Sequence, residues 1–251
     1  MIRLPAASLH LFAAAPLFRR TVVCALLFTA LAAPAFAQQN APSMTQLDEM
    51  RTDGKLREVH AALQEILEQD PQNTEALWRL SRSYVDIGFQ TKGQEERASL
   101  YKKGMEVAEE AISADPKSSD AELTYAIAVG RLALESGTRQ KVELSRAVKE
   151  HVDRAIELNP KNAVAYHVRG RWNYGIADLG FFSKAIVKLV YGGLPDASFE
   201  QAARDFEHAI QLEDRVVDYL ELGRTYMRLD RNDDAKQMLK RALVTANYDA
   251  A

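Results

Sequence analysis

The stretch Asp218-Tyr-Leu-Glu-Leu-Gly-Arg-Thr-Tyr226, followed by Ala235-Lys-Gln-Met-Leu239-Lys-Arg-Ala242, decides how the rest of the chain is read. Its apolar residues recur at helical spacing in two short runs separated by a polar turn. Tyr219, Leu222, Gly223 and Tyr226 share one face of a first helix, and Ala235, Leu239 and Ala242 share one face of a second. Gly223, Ala235 and Ala242 are small where two helices must approach closely, and Tyr219, Tyr226 and Leu239 fill the space beside them. Asp233 and Asp234 open the second helix and Lys240 and Arg241 are expected to close it, in keeping with the helix dipole. A single hairpin of this kind cannot bury its apolar face, so stacked copies are expected upstream.

They are present. The segments ending in Glu-Gln-Asp-Pro71, Ser-Ala-Asp-Pro116 and Glu-Leu-Asn-Pro160 each run from an amphipathic helix through a polar turn to a proline, and Gln-Leu-Glu-Asp214 repeats the pattern without the proline. Proline ends one unit because it cannot continue a helix. Counting back gives Leu47 and Met50 with Leu56 to Glu68, then Leu77, Leu80, Ser81 and Tyr84 with Gly104, Ala108 and Ala111. Leu123, Ala126 and Gly130 pair with Val148, Val152 and Ala155, and Tyr166 and Gly170 with Ala202, Phe206 and Ala209. Asn73, Ser119 and Asn162 are the expected N-caps. The end marks stand further apart than the about 34 residues of the shortest such hairpin repeats. The excess is polar in the earlier units and apolar from Ala177 to Ser198. Lys236, Gln237, Lys240 and Arg241 are expected to give the last helix a polar outer side.

The 251-residue chain is 27% charged and 47% hydrophobic, within the range of ordinary folded proteins. Residues 1–37 read as a secretory signal peptide. Arg19 and Arg20 precede an apolar run from Thr21 to Ala33, and Ala35-Phe36-Ala37 is a small-x-small cleavage site. That run is shorter than the roughly 20 residues that span a bilayer, so no anchor is expected after cleavage. Residues 38–44 read as a linker and residues 45–249 as the helical domain. The only cysteine, Cys24, lies in the signal, so the mature chain has no disulfide, thiolate metal site or cysteine nucleophile. Cleavage removes three arginines and no acid, moving the net charge from −3 to −6, which argues against nucleic acid as a partner. The expected compartment is periplasmic or extracellular.

The pattern of large residue, Leu-Gly, Tyr, Ala, large residue and Ala resembles the tetratricopeptide repeat. The expected fold is therefore all-α: a tetratricopeptide-like helical hairpin solenoid of four to five units, with a helical insertion in the penultimate unit. A narrower resemblance rests on Trp78-Arg-Leu-Ser-Arg-Ser-Tyr84, Tyr125-Ala126 with Gly130, Lys149-Glu-His-Val-Asp153, Gly170-Arg-Trp172 and Tyr191-Gly-Gly-Leu-Pro195, in that order. Together they resemble the regulator of microtubule dynamics family. The resemblance implies a repeat domain without catalytic activity, associated with microtubules, with partner proteins at membrane contacts and with phospholipid. An exported chain meets no tubulin, so only the domain and its ligand groove are expected to carry over.

In a tetratricopeptide stack the leading helices line a concave groove. One groove position follows the small residue and is Arg82, Arg171 and Arg224 in three units, with Arg131 a turn further along in another. Trp78, His167 and Tyr174 fall near the same face. Planar guanidiniums in a row suit a carboxylate or phosphate. The alternative for each is a carboxylate on a neighbouring helix, such as Glu75, Asp86 or Glu221. In the insertion, Leu179, Phe182, Ile186, Leu189 and Tyr191 give the wall of an apolar cavity, a surface for a membrane or acyl chain, or an extra helix packed on the solenoid. The four histidines beyond the signal are scattered, and no glycine-rich phosphate loop or nucleophile elbow occurs. No catalytic residue, metal or cofactor is expected. The expected partner is a protein or peptide in the groove, with an anionic phospholipid as the alternative ligand.

Overall fold

Each proline closes a turn that hands the chain to the next helix. In Asp115-Pro-Lys-Ser118 the Ser118 N–H donates to the Asp115 carbonyl and the Lys117 N–H to the Asp115 side chain. Asn159-Pro-Lys-Asn162 repeats both bonds, and Asp70-Pro-Gln-Asn73 repeats the first. Proline fits the second position of such a turn, and Asp or Asn fits the first. The fourth residue then caps the next helix: Asn73, Ser118 and Asn162 each accept a bond from the backbone three residues on. The cap of the third unit is thus Ser118, not Ser119. Ser119 is the first helical residue, and its hydroxyl donates to the Ala155 carbonyl.

The computed structural model describes residues 42–249, apart from the side chains of Phe181, Phe182, Ile186, Tyr191 and residues 247–249; the signal and most of the linker read above lie outside them. The described residues form α1 (Met44–Thr52), α2 (Leu56–Gln69), α3 (Thr74–Gln90), α4 (Gln94–Ala114), α5 (Ser119–Glu135), α6 (Thr138–Leu158), α7 (Ala163–Ala177), α8 (Phe181–Tyr191), α9 (Phe199–Leu212), α10 (Val216–Arg228) and α11 (Asn232–Asp249). Ser43 and Gln46 close a capping box on α1, so the helical domain begins at Met44. Helices α1/α2, α3/α4, α5/α6, α7/α9 and α10/α11 are five hairpins, each packed on the next, and α8 is inserted into the fourth. This is an all-α tetratricopeptide-like solenoid.

Small residues sit where the helices meet, as the first pattern requires. A Cβ on Gly170 would lie 2.7 Å from the Phe206 ring, and one on Gly223 would lie 3.0 Å from Leu239. Phe206 is fully buried with Leu222, Tyr226 and Ala235 in the core shared by the last two hairpins. Burying such a side chain contributes about 1.5–3 kcal/mol. The end of the solenoid departs from expectation. Helix α11 runs to Asp249, beyond Lys240 and Arg241, and leaves Leu243 and Val244 exposed, so its outer side is not wholly polar.

Candidate functional site: the face of the leading helices

Helices α1, α3, α5, α7 and α10 lead their hairpins, and their arginines fall into two unlike groups. In the first, Arg79 and Arg82 of α3 converge on Asp48 of α1. Arg79 also bonds Glu75, one turn back, at 2.5 Å. Both guanidiniums lie against the Trp78 ring, at 3.9 Å and 5.0 Å from its centroid. Trp78 is buried and does not line an open groove. Burial opposes ionisation of Asp48, but hydrogen bonds from Arg79 and Arg82 outweigh it and hold the carboxyl below the usual range. Burial, with Arg51 nearby, lowers Arg82. Arg51 itself takes Asp86 in a two-point pair. Arg82 is therefore held partly buried in the N-terminal half, where α1 brings it a carboxylate.

The second group is open. Arg171 of α7 donates to Glu221 Oε1 at 2.9 Å, and Arg224 of α10 reaches the same oxygen at 3.3 Å. The Glu221 side chain is 8% exposed, whereas those of Arg171 and Arg224 are 55% and 63% exposed. One carboxylate thus serves two guanidiniums and leaves one positive charge at the surface. Leu220 and Met227 lie four residues before and three after Arg224, so they share its face of α10, and both are exposed.

The other expected groove residues have structural partners. His167 Nδ1 lies 2.6 Å from Asp218 Oδ1, and Arg215 Nε faces the second carboxylate oxygen at 3.2 Å. Asp218 is fully buried, so this trio joins α7 to α10. Tyr174 packs edge-on against Phe199. Arg131 has no ion pair among the described residues; it lies over exposed Phe89 in an open cleft with Arg51, Leu56 and Asp86. The structure therefore does not bring the seven residues into one site. A further network escaped the sequence reading: Arg169 grips buried Asp205, which also accepts from Asn173, and Arg169 reaches Asp153 on α6. Arg169 precedes Gly170, so it points to α9 rather than to the groove. Its signal was only an arginine and an asparagine four apart on the helix.

Of the five insertion residues, the structure describes the side chains of Leu179 and Leu189. Leu179 is half-buried, but Leu189 and Val190 are 87% and 60% exposed, and the principal neighbour of α8 is α6. Phe182, Ile186 and Tyr191 have side chains outside the described residues. The space beside α8 is an open cleft lined by Arg146, Lys149, Glu150 and Gly192 to Pro195. The reason is the anchor. Gly192 and Gly193 adopt left-handed φ of 75° and 85°, ending α8 abruptly, and Arg146 of α6 donates to the Gly193 carbonyl. This pins the end of α8 to α6 and leaves the helix standing off the core.

Among the described residues no three His, Cys, Asp or Glu side chains converge as a metal site, and no helix is long and apolar enough to cross a membrane. His60 pairs with Ser83 and His151 with Glu122, each across adjacent helices.

Hairpins stacked in register with small residues at their crossings, and a polar leading-helix face, define a tetratricopeptide-type scaffold. Solved structures agree on the fold. A thermophilic TPR protein from Thermus thermophilus, TTC0263, superposes with a TM-score of 0.61 at 18% identity, covering 82% of this chain and 91% of that one. A crystal structure of MamA does so with 0.50 at 21%, covering 81% and 96%. Residues 43–250 match the family described as regulator of microtubule dynamics protein 1-3, and the chain belongs to that family. Regulator of microtubule dynamics protein 1 of Mus musculus is 30% identical over 202 residues, 79% of this chain and 66% of that protein. Regulator of microtubule dynamics protein 3 of Xenopus laevis is 30% identical over 173 residues, but only 37% of its length is covered. The chain thus spans a little under two thirds of the first of these relatives and just over a third of the second.

Proposed function

We propose that this chain is a non-enzymatic, exported scaffold that holds an acidic segment of a partner protein against the C-terminal half of its leading-helix face. The observation that carries the reading is the sharing of Glu221 Oε1 by Arg171 and Arg224 while both guanidiniums stay more than half exposed. A partner carboxylate would give the second guanidinium the two-point partner it lacks. Leu220 and Met227 would take an apolar residue beside that carboxylate. The scaffold fold supports a protein partner, and the pairing of His60, His151 and His167 across helices supports structural rather than catalytic roles for them. Export rests on the pattern from Arg19 to Ala37.

The test is fluorescence anisotropy with a labelled peptide of alternating glutamates and leucines, against a lysine-for-glutamate control. The Arg171→Glu/Arg224→Glu double variant should bind the acidic peptide at least tenfold more weakly while keeping its helical signal. Equal binding by a folded double variant overturns the reading. N-terminal sequencing of the native protein should begin at Gln38 if the chain is exported as proposed.

A further inference from the structure

Helix α8 presents large apolar residues, Leu189 and Val190, to solvent. An 11-residue helix is too short to be stable in water by itself, so it depends on burying one face. Its half-buried Val187 lies toward the solenoid, whereas Ala185, Leu189 and Val190 are exposed. At 100° per residue, positions 181, 182, 185, 186, 189 and 190 fall within one half of the helix circumference, and all are apolar in sequence. Positions 183, 184, 187, 188 and 191 form the other half and contain Ser183, Lys184 and Lys188. The arc that presents Leu189 and Val190 to solvent is therefore the apolar one.

The charges say what fits it. From Gly180 to Pro195 the chain carries two lysines and no acid, within a protein of net charge −3. Asp178, just before the helix, is paired with Arg228. Lys184 and Lys188 are exposed one turn apart, and Lys184 Nζ also donates to the Ala177 carbonyl, beside the helix start. A second copy of α8 would bring lysine against lysine, so self-association through this face is disfavoured by charge. An apolar half-circumference with lysines on the opposite face is the composition of a helix that lies in the plane of an anionic bilayer surface.

We infer that α8 docks this protein on membranes rich in anionic lipid, with Leu189 and Val190 entering the boundary between headgroups and acyl chains and Lys184 and Lys188 meeting the phosphates. This contact is with a membrane surface, not with a lipid carried inside the protein. It uses a different element from the peptide site on α7 and α10.

The experiment is co-sedimentation of the purified full chain with phosphatidylcholine vesicles and with vesicles containing phosphatidylglycerol. The apolar leader is common to all variants, so only differences from wild type count. Leu189→Asp/Val190→Asp should lower partitioning to both vesicle types at least tenfold. Lys184→Glu/Lys188→Glu should lower it about thirtyfold or more on anionic vesicles and little on neutral ones. Arg171→Glu/Arg224→Glu should sediment as wild type does, which separates this inference from the peptide reading. Circular dichroism checks folding, which these exposed positions should tolerate. Unchanged partitioning of either α8 variant overturns the inference. So does a wild-type oligomer that Leu189→Asp/Val190→Asp splits into monomers in light scattering, because a second copy would then be the occupant.

Discussion

Arg82 and Arg224 stand at the same place in their helices, one residue past the small residue of the helix crossing, yet one is partly buried and the other open. The difference lies in the supply of carboxylates. Arg82 and Arg79 receive Asp48 from a separate helix, and Arg79 has Glu75 as well. Arg171 and Arg224 must divide Glu221, which α10 supplies from its own face. The N-terminal half spends its arginines on joining α1 to α3. The C-terminal half keeps a charge for something outside. A repeat position therefore does not carry a function by itself; the acids of the neighbouring units decide it.

The sharpest way to break this contrast is Asp48→Ala. It strips the carboxylate from two partly buried guanidiniums and should cost about 2 kcal/mol, less than a fully buried pair because Asp48 is in part open to water. The measurement is the midpoint of urea unfolding, and acidic-peptide binding should stay unchanged. If the loss is negligible, the N-terminal half is not held by this cluster.

Acid should separate the halves next. Burial, helped by Lys103, lowers His60 below its ordinary 6.5. The unfolded chain therefore binds the proton more readily, and stability falls as pH drops below 6.5. Asp48, held below 3.8, adds its own loss as pH falls further. Both lie in the first two hairpins, so amide exchange near pH 5 should quicken first in α1 to α3. Burial and the bond to Glu207 push Tyr226 up to about 12. Its contribution is complete below pH 10 and is lost as pH rises toward about 12, so alkali should loosen the contact of α9 with α10, while burial raises Tyr84, Tyr101 and Tyr125 and extends the alkaline loss to α3, α4 and α5. Tyr226→Phe should reduce the alkaline loss and cost about 1 kcal/mol at neutral pH, read by thermal unfolding. The smallest effect is expected from Glu221→Gln. Freeing both guanidiniums should raise acidic-peptide affinity about threefold, a small effect because both arginines already stand more than half in water. A fall in affinity would mean that Glu221 orients the arginines.

The fold was legible because its signals are local. The Asp-Pro and Asn-Pro turns, Gly223 against Leu239 and the pairing of Ala126 with Val152 follow from spacing along the chain. The site was legible only in part. Helical register places Arg82, Arg171 and Arg224 on one side, and Glu221 was named as a partner beforehand. Register says nothing of a contact between residues 34 apart, so Asp48 was missed, and with it the closure around Trp78. The Arg169–Asp205 network was missed for the same reason. The orientation of the insertion was not legible, because composition marks a helix as apolar without saying which way it faces.

The self-contained turns have a consequence for how the chain reaches its fold. Asp115, Lys117 and Ser118 satisfy one another within four residues, and outside the insertion, where α7 packs chiefly on α9, the helices pack mainly on their neighbours in sequence. Few contacts must wait for distant parts of the chain to meet. Folding should therefore be fast and able to start at any hairpin, spreading outward one unit at a time. The same property confines damage. A lesion at α1 should fray the start of the solenoid while α7 to α10 keep their arginines in place.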